Sequence, residues 1–137
     1  DRPKVRLPGS GGANDIGSLC WRTIVMMNQD RRRFVERLDF LTTPGYLAGP
    51  GAREEAGLPL DSGPYRVVTQ LGVYDFDDET CRLRLIACHP GVSLHDVQAS
   101  SAFQIIIPGE VAVTAPPTRE DLRLLSEIDP ERIVLGR

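Results

Sequence analysis

The chain has 137 residues, of which 41% are hydrophobic and 26% are charged, and its formal net charge at pH 7 is −3. This length predicts one domain with a buried core, and no apolar run approaches the roughly 18 residues that a membrane-spanning helix needs. The slightly acidic balance lacks the basic footprint of nucleic-acid-binding proteins, so we expect neither a nucleic acid nor a membrane as partner.

The three cysteines, Cys20, Cys81 and Cys88, are unevenly spaced and form no C-x-x-C pair. This usage predicts neither a disulfide framework nor a zinc site. No signal-peptide pattern opens the chain, so we expect a reduced, cytoplasmic setting. The first residue is Asp1 rather than Met, and we therefore expect the natural chain to extend further at its front.

A glycine-rich stretch at 9–15 is the most distinctive local feature of the chain, because it has glycine at 9, 11 and 12. It lacks the Lys and Ser/Thr of a P-loop and the G-x-G-x-x-G of a dinucleotide site. Asp15 would also repel a phosphate at short range. Glycine N–H groups could instead stabilise a carbonyl oxygen that gains negative charge, as in an oxyanion hole. A plain strand-to-helix turn that needs glycine only for its geometry fits the spacing equally well.

The residues around this stretch predict a strand, a helix and a second strand. The residues 5–7 are expected to end a strand, and Asn14 or Asp15 to cap a short helix that runs to about Cys20. The apolar, β-branched run 23–27 is typical of a central strand that is buried on both faces.

The next part of the chain is richer in turns. Partial alternation over 34–40 indicates another strand, and the arginines at 31–33 before it are expected to lie in a solvated turn. The segment 42–64 has too many glycines and prolines for a long regular element, so it predicts a long ordered loop. Tyr46 and Tyr65 are expected to anchor that loop to the core of the same domain.

Alternation then predicts a β-hairpin. One strand region covers 66–74, with a possible bulge at Gly72, and a second covers 80–88. The acidic turn 75–79 between them fails the EF-hand spacing, because position six of a loop starting at Asp75 is Thr80 rather than Gly. We expect a solvated turn and no metal.

The last third of the chain predicts two capped helices. Ser93 and Asp96 form a capping-box pattern for a helix to about residue 100, and 103–107 reads as a buried strand. A final helix is expected from Thr118 to about Ile128, with acidic residues in its first turn. Residues 133–134 are expected to fold back onto the domain.

Nucleophilic catalysis within this chain has little support. His89 and His95 are the only histidines, and no G-x-S-x-G elbow is present. We expect His95 to be exposed and His89 to be a turn histidine that hydrogen-bonds to local backbone. The chain therefore does not predict a self-contained triad hydrolase.

Five ordered motifs together resemble the β subunit of class I CoA-transferases, particularly the glutaconate type. They are GSGGANDI at 9–16, RRFV at 32–35, TPGYL at 43–47, RVVTQLGVYDF at 66–76 and HPGV at 89–92. The resemblance covers nearly the whole chain but only the later part of the family's β subunit. Residues 1–137 are then a single domain or the C-terminal part of such a subunit.

The resemblance implies an open α/β fold with a mainly parallel sheet and flanking helices. It also implies an α-subunit partner and a reaction in which CoA moves between carboxylic acids through a glutamyl-CoA thioester. The nucleophilic glutamate is expected in the missing N-terminal part of the β subunit, outside this chain.

The family's G-x-G-G-A loop matches 9–13, so the resemblance also assigns site residues. It places Gly11 and Gly12 as backbone oxyanion donors, and it places four neighbours against the thioester and CoA. Those neighbours are Gly9, Ser10, Ala13 and Asn14. A CoA-thioester hydrolase, a ring-opening relative of the same fold and a non-catalytic CoA-binding partner protein remain alternatives.

Overall fold

The computed structural model describes residues 9–133, in which the chain forms five strands and four helices. The strand predicted at 5–7 lies outside the described residues, as does Val134. In chain order the elements are α1 (Gly11–Leu19), β1 (Arg22–Met26), α2 (Ala52–Glu55), β2 (Gly63–Val68), β3 (Gly72–Phe76), β4 (Leu83–Cys88), α3 (Leu94–Ala99), β5 (Ala112–Val113) and α4 (Arg119–Ile128).

The strands form one open sheet in the order β1-β2-β3-β4-β5. β1 pairs with β2 and β4 pairs with β5 in parallel, whereas β2, β3 and β4 form an antiparallel meander. The β3–β4 pair is the predicted hairpin, but the single strand region predicted at 66–74 is wrong, because it contains the end of β2, a turn at 69–71 and the start of β3. The irregularity in the β3–β4 pairing lies between Val73 and Tyr74 rather than at Gly72. The open α/β class with flanking helices is thus confirmed, with antiparallel pairings at its centre.

The core lies on the meander and under α3. Tyr74, Leu85 and Val97 are fully buried there, and Ile105 is nearly so. Burying a side chain of this kind stabilises the fold by about 1.5–3 kcal/mol. Gly72 is required by close packing, since a Cβ built on it would lie 2.4 Å from the backbone oxygen of Ala87.

Two predicted helix starts are confirmed in detail. Ser93 accepts a hydrogen bond from the Asp96 N–H and Thr118 accepts one from the Asp121 N–H, and both helices have complete capping boxes. Each box satisfies N–H groups that a helix terminus leaves free. The side chains of α4 are all exposed nevertheless.

The long segment 42–64 is ordered, as predicted, and contains the short helix α2. The Tyr46 hydroxyl donates to the Pro64 backbone oxygen at 2.7 Å, and its ring meets that of Phe76 edge-on at 5.1 Å. Tyr46 therefore anchors the segment to its own domain. Tyr65 is more exposed, and the guanidinium carbons of Arg22 and Arg66 lie 4.6 and 3.9 Å from the centre of its ring.

The prediction of a central strand at 23–27 is wrong for the described residues. β1 is the edge strand of the sheet, and Ile24 and Met26 are 61% and 79% exposed. The apolar pattern is that of a strand covered on both faces, but residues 9–133 do not provide that cover.

Two further predicted strands are not regular strands. Segment 34–40 consists of bends and irregular backbone. At its start, the Phe34 N–H donates to the Asp30 backbone oxygen at 2.8 Å, which closes the preceding turn. Segment 103–107 has only an isolated bridge from Ile106 to Arg84. The Gln98 side chain bonds the Phe103 oxygen and the Ile105 N–H, and so replaces a neighbouring strand.

The predicted return of the C-terminal tail is also wrong where it can be assessed, because Ile133 is 78% exposed. Within the described residues, no helix combines the length and apolar character required to cross a bilayer.

Candidate functional site

The glycine-rich stretch forms the N-terminal turn of α1. The helix begins at Gly11, earlier than the predicted start at Asn14 or Asp15. Ser10 is the N-cap residue, and Gly11 has a φ of 48°. The start predicted from the sequence is too late because glycine has a low helix propensity, whereas Asn and Asp commonly cap a helix.

The first N–H groups of α1 have no partner inside the helix, and Ser10 provides no side-chain cap. α3 and α4 differ, since each has a complete capping box. Gly11 and Gly12 are both exposed. The described residues therefore leave a set of outward-facing backbone donors at this end of α1, with the positive end of the helix dipole behind them.

The glycines of this turn are not explained by packing within residues 9–133. A Cβ built on Gly9, Gly11 or Gly12 would meet no described atom within 4 Å. Gly11 needs its positive φ, but Gly12 has neither an unusual φ nor a close neighbour. The bare backbone at Gly12 is thus free for close approach by a molecule outside the described chain.

The remaining predicted site residues lie in the same turn. Ala13 and Asn14 are exposed. The Ala13 backbone oxygen accepts from the Thr43 hydroxyl at 3.5 Å, and Asn14 Oδ1 accepts from the Ser18 hydroxyl at 3.4 Å. The six residues from 9 to 14 are therefore contiguous and at least partly exposed. The hydrogen bond from Thr43 helps to hold this N-terminal turn in place.

Arg53 is the residue that sequence reasoning missed. It is only 2% exposed. Its Nη1 donates to the Gly45 oxygen at 2.6 Å, and its Nη2 donates to Ser62 Oγ at 2.9 Å. Both nitrogens also reach the Gly17 oxygen at 3.3 Å, and Nη2 reaches the Ser18 oxygen at 3.3 Å.

These contacts fix the position of α1. The Gly17 and Ser18 oxygens belong to the last turn of the helix, where a cation is favourable for the helix dipole. Arg53 Nε is buried and has no hydrogen-bond partner among the described residues. Arg53 therefore joins the C-terminal end of α1 to the loop at Gly45 and to the residue before β2.

A buried polar network lies where β1 and β2 end. Gln29 Oε1 accepts from the Thr69 and Tyr74 hydroxyls, and Gln29 Nε2 donates to the Val97 oxygen at 2.8 Å. The side chain of Gln70 pairs with the backbone of Gln29 through two bonds, at 2.8 and 2.9 Å. Burial raises the pKa of Tyr74, so its hydroxyl remains a donor at neutral pH.

His89 belongs to the same network. Its Nε2 lies 2.9 Å from the Thr69 oxygen and its Nδ1 lies 2.8 Å from the Thr114 hydroxyl. Both ring nitrogens are occupied by residues distant in sequence, so the predicted local partner is wrong, and the contacts are those of a structural histidine. His95 is exposed, as predicted.

A cleft of about 440 Å³ lies over this network. It is at the carboxyl ends of two parallel strands, which is where α/β sheets commonly bind ligands. Its lining residues are Met26, Met27, Asn28, Val68, Thr69 and Gln70.

Two carboxylates of the acidic turn, those of Asp75 and Asp77, have side-chain partners. Asp75 forms a two-point ion pair with Arg84 at 2.8 and 2.9 Å. The Thr80 hydroxyl donates to Asp77 at 2.6 Å and lowers the pKa of that carboxyl. Within residues 9–133, no group of three or more His, Cys, Asp or Glu side chains is arranged to hold a metal ion.

Comparison with known proteins points to one family. The family model described as Coenzyme A transferase matches residues 1–100. The B-type subunit of glutaconate CoA-transferase from Acidaminococcus fermentans is 42% identical over 128 residues, which are 93% of this chain and 48% of that protein. The B-type subunit of 3-oxoadipate CoA-transferase from Pseudomonas knackmussii is 32% identical over 94% of this chain and 49% of its own length.

Solved structures agree with the sequence comparison. The crystal structure of glutaconate coenzyme A-transferase from A. fermentans superposes with a TM-score of 0.88 at 39% identity, covering 99% of this chain and 52% of that one. Rhodococcus jostii IpdAB gives a TM-score of 0.76 at 27% identity, covering 96% and 52%. The chain spans about half the length of the curated relatives it matches. On these matches in sequence and fold, the chain belongs to the coenzyme A transferase family.

Proposed function

We propose that this chain is the C-terminal part of a β-type subunit in a heteromeric CoA-transferase. The enzyme would move CoA between an acyl-CoA and a carboxylic acid. Its partners would be an α-type subunit and the remaining part of the β-type subunit, which would carry the nucleophilic glutamate. The support is the family membership of the chain, together with its span of about half of the glutaconate and 3-oxoadipate CoA-transferase subunits.

The reaction defines what the site must stabilise. The glutamate carboxylate attacks the thioester carbonyl, and the carbonyl oxygen gains negative charge as the tetrahedral centre forms. The centre collapses with loss of the CoA thiolate to give a mixed anhydride. The thiolate then attacks the glutamyl carbonyl and releases the first acid, which leaves a glutamyl-CoA thioester. Reversal with a second acid completes the transfer.

The N-terminal turn of α1 suits the charged oxygen. Its backbone donors are uncapped among the described residues, and Gly11 and Gly12 are accessible. The single observation that carries this role for the turn is that Gly12 is glycine without a structural need among the described residues. Gly11 and Gly12 would donate to the oxyanion, and Gly9, Ser10, Ala13 and Asn14 would lie along the thioester and CoA.

No metal enters this proposal, since the donors are backbone N–H groups. CoA is a substrate that leaves and returns, rather than a resident cofactor. We place the enzyme in the cytoplasm, because all three cysteines are free, as is usual in a reducing compartment.

Gly12→Val in the complete enzyme tests the role of the turn. The Gly12 N–H would remain, but the new side chain would hold the thioester carbonyl oxygen away from it, so kcat should fall by about 10²- to 10³-fold, the range for loss of an oxyanion donor. Gly109→Val is a matched control, because Gly109 is also an exposed glycine with no described atom within 4 Å of a built Cβ. Transfer of CoA from acyl-CoA to a free acid is the measurement. An unchanged kcat for Gly12→Val would show that the turn has only a structural role.

Hydrolysis is the second candidate. The Cholesterol ring-cleaving hydrolase IpdB subunit of Mycobacterium tuberculosis strain H37Rv is 31% identical over 77% of this chain. Ring-cleaving hydrolysis would add water to the acyl group and leave its thioester with CoA intact, whereas thioester hydrolysis would release free CoA without an acceptor acid. Release of free thiol from acyl-CoA, measured with and without added acid, separates transfer from thioester hydrolysis, and a gain of one water in the mass of the acyl-CoA would indicate ring cleavage. Binding of CoA without either reaction would indicate a non-catalytic partner protein.

A further inference from the structure

The arginines at 31–33 lie in an exposed turn shortly after β1. Asp30 fixes this arginine turn, because its carboxylate accepts from the N–H groups of Arg32 and Arg33 at 2.9 and 3.1 Å and pairs with the Arg33 side chain. Within residues 9–133, the ion pairs include neither Arg31 nor Arg32. The turn therefore has an excess of positive charge and presents two guanidinium groups to an anion.

A pocket of about 380 Å³ lies between the arginine turn and the C-terminal end of α3. Its volume is in the range of small-molecule sites. Arg31 and His95 line it with nitrogen donors, whereas Ala99, Ala102 and Phe103 line it with apolar surface. No carboxylate among the described residues lines this pocket. The lining suits a ligand that combines an anionic group with a planar, largely apolar one.

The wall of the pocket is attached to the arginine turn. The Ala102 N–H donates to the Phe34 oxygen at 2.8 Å, and the rings of Phe34 and Phe103 are stacked at a centroid distance of 6.0 Å. Phe34 is buried in the core, and its N–H donates to the Asp30 oxygen at 2.8 Å. The pocket is thus formed before a ligand binds, which lowers the free-energy cost of binding one.

The arginine turn and the glycine-rich turn lie toward the same edge of the sheet. The arginine turn follows the carboxyl end of β1. α1 runs in the opposite direction, because Arg53 joins its last residues to Ser62, which precedes β2. The first turn of α1, about 13 Å from its last residue, is therefore directed toward the carboxyl ends of β1 and β2. An extended ligand at this edge reaches both turns.

We propose that the pocket beside the arginine turn binds the nucleotide end of CoA, and that Arg31 and Arg32 hold its phosphates. CoA carries a phosphate and a diphosphate on an adenosine, and its pantetheine arm separates them from the thioester. Guanidinium groups bind phosphate through paired hydrogen bonds, and Ala99, Ala102 and Phe103 accept the adenine ring. The inference rests on the proposed function, since it places one end of the proposed substrate, but it does not depend on the role of Gly12.

Calorimetry of CoA binding to the complete enzyme tests the assignment without catalysis. Arg31→Gln and Arg32→Gln should each weaken CoA binding by about tenfold, which is typical for loss of a charged hydrogen bond. Arg37→Gln is the matched control, because Arg37 is an exposed arginine nearby in sequence that lies outside the pocket. A second readout is kcat/KM for acyl-pantetheine, which lacks the nucleotide and should be used equally well by all three variants.

Each outcome of these measurements decides the proposal. Weaker CoA binding by both variants, with unchanged use of acyl-pantetheine, supports it. CoA affinities equal to that of the unsubstituted enzyme would overturn it, and so would equal losses for acyl-CoA and acyl-pantetheine. Adenosine 3′,5′-bisphosphate that binds without displacing CoA would indicate a separate nucleotide site and would also overturn it. If the unsubstituted enzyme binds CoA but the variants are normal, only this inference fails, whereas an enzyme that binds no CoA refutes the transferase proposal itself.

A substitution that fills the pocket provides an independent test, because it leaves the charges in place. Ala99 is exposed at the end of α3, so Ala99→Trp should fold. Its indole should occupy the space of the adenine and weaken CoA binding by about tenfold, as expected when a base loses its stacking surface. Ala115→Trp is the control, since Ala115 is exposed and lies outside the helices and strands. Equal CoA affinities for the two variants would place the nucleotide elsewhere.

Discussion

Arg53→Met should be among the most destabilising single changes in this chain. It removes all donors to the Gly17, Ser18 and Gly45 oxygens and to Ser62 Oγ. A hydrogen bond that involves a charged group is worth about 1.5–3 kcal/mol net. The two short hydrogen bonds, to the Gly45 oxygen and to Ser62 Oγ, therefore provide most of the stabilisation. The three bonds at 3.3 Å contribute less.

The expected net loss in the free energy of unfolding is about 3–5 kcal/mol. It is smaller than the sum of the bonds, because burying the guanidinium itself costs free energy that methionine does not incur. Arg53→Lys keeps the charge but not the planar fork, so it should lose roughly half as much. Urea denaturation followed by circular dichroism measures these differences.

Arg37→Met is the control, because Arg37 is exposed and a surface change of this kind should stay within about 0.5 kcal/mol. Hydrogen exchange gives a local readout, in which the amides of α1 should lose more protection than those of α4. A loss below about 1 kcal/mol for Arg53→Met, with α1 protection unchanged, would refute the reasoning that Arg53 holds α1.

Three further predictions concern packing, thiol reactivity and pH. Gly72→Ala should destabilise the sheet by about 1–3 kcal/mol, measured by urea denaturation, because its Cβ would lie 2.4 Å from the Ala87 oxygen; a neutral result would contradict the close approach. In the isolated chain, iodoacetamide should modify exposed Cys20 long before buried Cys88, whose pKa is raised by burial; equal rates by mass spectrometry would contradict the packing around β4. The Ser93 hydroxyl bond lowers the pKa of Asp96, so this cap stabilises α3 fully above the ordinary aspartate pKa of about 3.9 and loses that effect as the pH falls through the lowered value. An NMR titration of the Asp96 carboxyl that gave an ordinary or raised pKa would exclude the capping box.

Local features were predictable because their partners are close in sequence. Both capping boxes join residues three positions apart, and alternation identified the β3–β4 hairpin. The glycine-rich stretch stood out by composition alone. The residue at which its helix begins was not predictable, because Gly11 starts α1 without a capping side chain.

Features that depend on distant partners were not predictable. Arg53 donates hydrogen bonds to oxygens 35 and 36 residues before it. No periodic pattern of residues in the sequence indicates contacts over such distances. The segment 103–107 has the composition of a strand, but Gln98 supplies the bonds that another strand would have made. His89 likewise uses Thr69 and Thr114 rather than its neighbours.

The sequence by itself determined the helix caps, the hairpin, the glycine turn and the apolar character of β1, because each depends on residues within a few positions. Only the tertiary structure decided that the donors of Gly11 and Gly12 are accessible, that Arg53 fixes α1, and that β1 lies at an edge with both faces open. Burial and accessibility depend on which distant atoms occupy the surrounding space, and the order of residues along a chain does not specify those neighbours.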